Sequence, residues 1–92
     1  MQKWMQDMSQ QDTTFCLKLQ KNLPSMQYQP FPGALGVLVK NHTSQQAWAL
    51  WLIEQTKMIN EYRLDPLAKK AQDFLASEML QFLNLEQAQS SL

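Results

Sequence analysis

Residues 32–66, PGALGVLVKNHTSQQAWALWLIEQTKMINEYRLDP, decide the fold of this chain. A proline–glycine turn precedes a short apolar run that predicts a helix over residues 34–40, although Gly36 costs about 1 kcal/mol there relative to Ala. The segment TSQQ at residues 43–46 matches the S/T-x-x-E/Q capping box, which predicts a longer helix that ends near Arg63 and has Thr43 as its cap. The Asp65-Pro66 pair predicts the start of a last helix, because Asp caps well and Pro suits the first helical position.

Apolar residues recur along these helices with the period of an amphipathic helix, so we expect one face of each to lie in the core. The short helix presents Leu35, Leu38 and Val39. The stripe of the long helix consists of Trp48, Trp51, Leu52, Met58, Ile59 and Tyr62. The stripe of the last helix consists of Leu67, Ala71, Phe74, Leu75, Met79, Phe82 and Leu83.

The residues before this block predict a β-hairpin. Residues 13–19, TTFCLKL, alternate in polarity, which predicts a strand with Phe15, Leu17 and Leu19 on its apolar face and Cys16 on the other, more polar face. The following QKNLPS is typical of a turn, and residues 26–29 predict a second strand. Two strands alone are only marginally stable, so their apolar face must pack on the helices. The fold class is therefore α+β, a short two- or three-stranded antiparallel sheet packed with three α-helices in a single small domain.

The domain organisation is simple. Residues 1–12 are polar and glutamine-rich, and we expect a flexible N-terminal arm in which Trp4 is an exposed aromatic. Residues 13–84 form the domain, and residues 85–92 are expected to be a polar tail. A chain of 92 residues with 45% hydrophobic residues can bury one core without disulfides.

The composition argues against several classes of function. Eight basic and eight acidic side chains cancel, so we expect neither nucleic acid nor a membrane surface as a partner. Apolar runs such as residues 47–53 are too short to span a bilayer. The single cysteine rules out an intrachain disulfide and a CxxC metal motif. With no apparent targeting segment, we expect a cytoplasmic monomer.

Cys16 is the first candidate for chemistry. A cysteine thiolate is a nucleophile and a metal ligand, and the ammonium of Lys18, on the same predicted face, would favour the thiolate over the thiol. The alternative is that Cys16 is a small, half-buried apolar residue that only fills space, as free cysteines often do.

Other candidates carry weaker signals. His42 is either a metal ligand or a solvated loop histidine, and no second histidine supports the former. Glu54 and Glu61 share a helix face, so they either offer oxygens to a hard cation or solvate that face. Trp48 and Trp51 either form a surface for a partner or belong to the core, which the continuing apolar stripe favours.

Three motifs in combination resemble one bacterial family. They are PGALG at residues 32–36, SQQAWALW at residues 44–51 and QTKMINE at residues 55–61. With TTFCLKL and EMLQFLN, they make residues 13–84 similar to the YggX family of small iron(II)-trafficking proteins linked to protection against oxidative damage. The resemblance implies a small antiparallel sheet packed with three helices.

This chain departs from the family pattern in several charged positions. The family usually carries an arginine where Asp12 stands, a glutamate where Ala34 stands, and a lysine–arginine pair where Val37 and Leu38 stand. The surface near the proline–glycine turn is therefore less charged than is usual in the family.

The resemblance also implies a function. Cys16 matches the cysteine near the start of the family's domain, which implies that this thiol protects or handles iron. The expected role is non-enzymatic Fe(2+) trafficking that protects iron-sulfur clusters and iron pools from oxidative damage. Iron-sulfur proteins or their assembly machinery would be the partners. One thiolate cannot enclose Fe(2+), so binding would be weak and transient, with water completing the coordination.

Two alternatives belong to other classes of function. The chain could be a helical protein–protein interaction module that binds no metal directly. It could also be a thiol-dependent reductase or peroxidase, which the lack of a resolving cysteine disfavours.

Overall fold

The computed structural model describes residues 12–86 and Ala88. In chain order its elements are β1 (Thr13–Cys16), β2 (Lys21–Pro24), α1 (Gly33–His42), α2 (Gln45–Tyr62) and α3 (Lys69–Phe82). The two strands pair as an antiparallel sheet, which confirms the predicted α+β fold with three helices. Apart from Asp12, the predicted N-terminal arm lies outside the described residues. In the described part, no helix has both the length and the apolar character needed to cross a membrane.

The hairpin differs from the predicted one. The first strand stops at Cys16 rather than at Leu19, and the second strand is Lys21–Pro24 rather than residues 26–29. Residues 17–20 make the turn, in which the N–H of Gln20 donates to the carbonyl oxygen of Cys16 at 2.7 Å. Pro24 ends β2 opposite Thr13, a strand end where a residue without an N–H is tolerated.

The hairpin also faces the opposite way from the prediction. Phe15 is 46% exposed, whereas Cys16 is fully buried. The hydroxyl of Thr14, on the same face as Cys16, donates to the carbonyl oxygen of Asn41 at the end of α1. These contacts turn the Thr14–Cys16 face, which the sequence suggests is the polar one, toward the helices.

The predicted start of α2 is correct to within a residue, but its cap is not. Ser44 is the N-cap, and its Oγ accepts the N–H of Ala47 at 3.1 Å. Thr43, the predicted cap, has a buried hydroxyl with no hydrogen-bond partner among the described residues. At its other end α2 stops at Tyr62, and Arg63 adopts the left-handed conformation with φ 53°.

The start of α3 is later than predicted. The N-cap is Ala68, and α3 begins at Lys69. Asp65 accepts the N–H of Leu67 through Oδ1 at 3.0 Å and the N–H of Ala68 through its carbonyl oxygen at 2.9 Å. Asp65 and Pro66 therefore form a separate turn before the helix, which leaves Leu67 85% exposed rather than in the core.

The core lies where the three helices meet the inner face of the hairpin. It contains Cys16, Met26, Leu38, Val39, Ala47, Trp48, Trp51, Met79, Leu83 and Leu85. Besides Leu67, three further residues of the predicted stripes are exposed: Leu52, Tyr62 and Phe74. Leu85 is fully buried, although the sequence assigns it to the polar tail of residues 85–92. The division of the chain into arm, domain and tail otherwise stays a prediction.

Candidate functional site

Cys16 lies where the hairpin turn meets the N-terminus of α2. It is the last residue of β1, its thiol is free, and its side chain is fully buried. The Ser44 hydroxyl and the backbone N–H groups of Ser44, Leu19 and Lys18 all donate hydrogen bonds toward Sγ. Ser44 Oγ accepts the N–H of Ala47 through a lone pair, so the hydroxyl proton of Ser44 stays available to donate to the sulfur. The sulfur is thus buried among donors rather than among apolar groups alone.

These donors decide the acidity of the thiol. Burial raises the pKa of Cys16, because a thiolate is poorly solvated there. The hydroxyl of Ser44, then the N–H groups of Ser44, Leu19 and Lys18, act in the opposite direction, and together they lower the pKa below its usual value. The N-terminal end of α2 favours negative charge as well. The surroundings of Sγ therefore favour the thiolate more than water does, despite the burial.

The partners of Cys16 differ from those predicted. The ammonium of Lys18 is not among the groups that shift the pKa of Cys16, and its Nζ lies over the Phe82 ring, 3.8 Å from the ring centre. Lys18 contributes its backbone N–H instead. Ser44 was missed, although the capping pattern of residues 43–46 places a hydroxyl residue at the start of α2.

The weaker candidates, His42, Glu54 and Glu61, belong to α1 and α2. His42 ends α1, and its backbone carbonyl accepts the N–H of Leu17 at 3.1 Å. Glu54 and Glu61 lie along α2, half-buried and exposed respectively. Nowhere within residues 12–86 or at Ala88 do three or more His, Cys, Asp or Glu side chains cluster as metal ligands would.

The two tryptophans of α2 are core residues. Trp48 is 8% exposed, packs edge-on against Phe31 with ring centres 6.1 Å apart, and donates from Nε1 to the Tyr28 hydroxyl at 3.0 Å. Trp51 is 1% exposed and packs against Phe82 at 5.8 Å. The structure therefore favours core packing over a recognition surface for both.

Comparison with known proteins assigns the chain to a family. The family model for bacterial Fe(2+) trafficking matches residues 8–91. The chain belongs to this family. The match confirms the resemblance to YggX proteins and covers the hairpin with Cys16, the three helices and the Ser44 cap.

Several relatives in this family share about half of their aligned residues with the chain. A protein of Coxiella burnetii (strain CbuG_Q212) is 51% identical over 69 residues, which cover 75% of this chain and 77% of the relative. A protein of Legionella pneumophila (strain Corby) is 47% identical over 70 residues, which cover 76% of this chain and 79% of the relative. A protein of Hydrogenovibrio crunogenus is 47% identical over 68 residues, which cover 74% of this chain and 76% of the relative. Each of them is named "Probable Fe(2+)-trafficking protein".

Proposed function

We propose that this protein is a non-enzymatic Fe(2+)-trafficking protein in which the thiolate of Cys16 is a weak and exchangeable iron ligand. The observation that carries the proposal is the set of donors around Sγ, from the Ser44 hydroxyl and the N–H groups of Ser44, Leu19 and Lys18. Membership in the bacterial Fe(2+)-trafficking family supports iron as the cargo.

The chemistry of the site suits a carrier better than a storage site. A cysteine must be deprotonated to bind a metal, and the lowered pKa of Cys16 increases the thiolate fraction near neutral pH. Thiolate binds Fe(2+), but a single protein ligand leaves most coordination positions to water. Such a complex is weak and exchanges quickly, which is what delivery to another protein requires. Because Sγ is fully buried, iron can reach it only when the covering residues move.

Anaerobic titration with Fe(2+) tests the ligand. Wild-type protein should bind the ion with a thiolate-to-iron absorption band, and Cys16→Ser should lose the band and bind more weakly. Lys69→Gln is the matched control, since it changes an exposed side chain of α3 that is not a candidate ligand, and it should titrate like wild type. Equal binding by wild type and Cys16→Ser would remove Cys16 from the site. If neither protein binds Fe(2+), the direct carrier model fails.

The protective role extends this proposal to partners. We infer that the protein shields iron-sulfur proteins, or the machinery that assembles them, from oxidative damage. In a mixture with a purified iron-sulfur enzyme exposed to peroxide, wild type should slow the loss of enzyme activity and Cys16→Ser should not. The protein should also show no turnover with peroxide and a thiol reductant. Sustained turnover would instead support a peroxidase.

A second candidate function is an interaction module without direct metal binding. An apolar groove of about 550 Å³ between α2 and α3 favours it, with walls that include Phe31, Leu35, Trp51, Ile59 and Met79. The same protection assay separates the two functions. Protection that survives Cys16→Ser but is lost in Ile59→Lys, with the fold of both variants checked by circular dichroism, would favour the interaction module.

A further inference from the structure

We propose that residues 17–20, here called the strap, gate access to Cys16, and that the side chain of Asn84 holds the strap closed. This inference rests on the proposed function, because it describes how the Cys16 site is regulated. It concerns a structural feature that the proposed function leaves unexplained, a free thiol without any solvent exposure.

The strap lies directly on the thiol. The backbone N–H groups of Lys18 and Leu19 act on Sγ as hydrogen-bond donors, and the side chains of Leu17 and Leu19 pack against the core cluster that contains Cys16. At its two ends the strap is tied to its surroundings. The N–H of Leu17 donates to the His42 carbonyl at 3.1 Å, and the N–H of Gln20 donates to the Cys16 carbonyl at 2.7 Å.

Asn84 connects the strap to the C-terminal end of the domain. Its Nδ2 donates to the carbonyl oxygen of Leu17 at 3.2 Å, across 67 positions in sequence. Lys18 adds a second connection, with Nζ over the ring of Phe82 at 3.8 Å. Asn84 is exposed, so water can replace its hydrogen bond at small cost when the strap opens. The side chains of Leu17 and Leu19 also pack against the core, so opening of the strap is a local event in which these two side chains leave the core while the rest of the domain stays folded.

The strap opens toward a polar depression. This depression has a volume of about 350 Å³ and is lined by Leu17, Gln20, Asn84 and Glu86. The carbonyl oxygen of Leu17 at its wall accepts two side-chain amides, from Asn84 at 3.2 Å and from Gln20 at 2.6 Å. A hydrated ion or a small reagent would thus approach the thiol past Asn84.

Asn84 also ends a helix, and this role must be separated from its hydrogen bond to the strap. Asn84 adopts the left-handed conformation with φ 61°. Its N–H donates to the carbonyl oxygen of Gln81 at 3.2 Å, and the N–H of Leu85 donates to the carbonyl oxygen of Leu80 at 2.8 Å. This is the Schellman arrangement that ends a helix, in which glycine is the preferred residue at the left-handed position. Asn84→Gly therefore keeps the helix end and deletes only the side-chain amide.

The rate of Cys16 alkylation by iodoacetamide, measured at fixed pH in the folded protein and in urea-unfolded protein, tests the gate. The ratio of the two rates reports the fraction of molecules with an open strap. Asn84→Gly should raise the folded-state rate about 2- to 12-fold, the range expected for the loss of one net hydrogen bond, without lowering the urea unfolding midpoint. Lys69→Gln, which breaks the exposed pair with Asp73 at 3.0 Å, is the matched control and should leave the rate unchanged.

Two outcomes overturn the proposal. An unchanged alkylation rate in Asn84→Gly would show that Asn84 does not hold the strap. A wild-type rate that increases with urea as steeply as global unfolding does would show that the thiol is exposed only when the whole domain unfolds. Because the measurement contains no iron, its result is independent of the Fe(2+) titration, and either proposal can fail while the other stands.

Discussion

Replacing Gly36 by alanine should force a collision between two backbone segments. Gly36 is buried in α1, and a Cβ placed there would lie 1.7 Å from the carbonyl oxygen of Phe31 and 2.6 Å from its carbonyl carbon. Carbon and oxygen in close contact are normally about 3.3 Å apart. The Phe31 carbonyl, which is backbone and cannot simply rotate away, would have to move by roughly 1.5 Å.

Several contributions determine the size of this effect. Alanine gains about 1 kcal/mol over glycine inside a helix. Against this, overpacking costs about 1–3 kcal/mol. The moving carbonyl also disturbs its hydrogen bond from Gln29 Nε2 at 2.6 Å, worth about 1 kcal/mol. The edge-on contact between Phe31 and Trp48 is worth a similar amount. The expected result is a loss of about 3 kcal/mol, a large part of the stability of a small domain.

Urea unfolding followed by tryptophan fluorescence measures this loss. Gly33→Ala is the matched control, because a Cβ there meets no atom within 4 Å but must adopt φ +80°. That variant should lose only about 1–2 kcal/mol, from backbone strain. If Gly36→Ala is as stable as wild type, helix propensity rather than the close approach governs this position, and the reasoning is refuted.

Three further predictions concern the ends of α2 and the acidity of Cys16. Ser44→Ala should lower the unfolding free energy by about 1 kcal/mol through loss of the cap. It should also raise the pKa of Cys16, which an unshifted pH profile of alkylation would contradict. Because the pKa of Cys16 is lowered in the folded state, wild type should gain stability as pH rises from the folded pKa to the unfolded value of about 8.5. Urea titrations of Cys16→Ser over the same pH range should lack that gain. Arg63→Gly should stabilise the protein by about 1 kcal/mol, since φ 53° strains arginine but not glycine, and a lower urea midpoint would contradict this.

The helices could be predicted because their signals are local. The proline–glycine turn places α1, and the capping pattern places α2 with its buried Trp48 and Trp51. The same kind of signal misplaced the start of α3. Asp and Pro suit a helix start, but they equally suit the separate turn that Asp65 makes with the N–H groups that follow it.

The hairpin could not be predicted in the same way. Its strand pattern has a period of two, so a change of face reverses every side chain. The face is set by partners far along the chain, the carbonyls of Asn41 and His42, which accept from Thr14 and Leu17. Leu17 and Leu19 still pack against the core, but from the turn rather than from an extended strand.

The environment of Cys16 was hidden from the sequence for a different reason. Most of its donors are backbone N–H groups. Every residue except proline carries one, so no pattern of side chains in the sequence predicts them. Ser44 is the exception. Its hydroxyl could have been found by asking which residue of the capping pattern faces the candidate thiol.

Burial and hydrogen bonding act in opposite directions on the pKa of Cys16, which also belongs to the hydrophobic core. A cysteine kept only for packing would lie among apolar groups, where burial raises its pKa and makes it inert. Cys16 is just as buried, yet the Ser44 hydroxyl and the N–H groups around it lower its pKa. Under the proposed function, Cys16 can bind and release an ion only if the strap that lies over it opens. A closed strap that protects the thiolate and opens briefly would keep it from oxidants while leaving it available to Fe(2+).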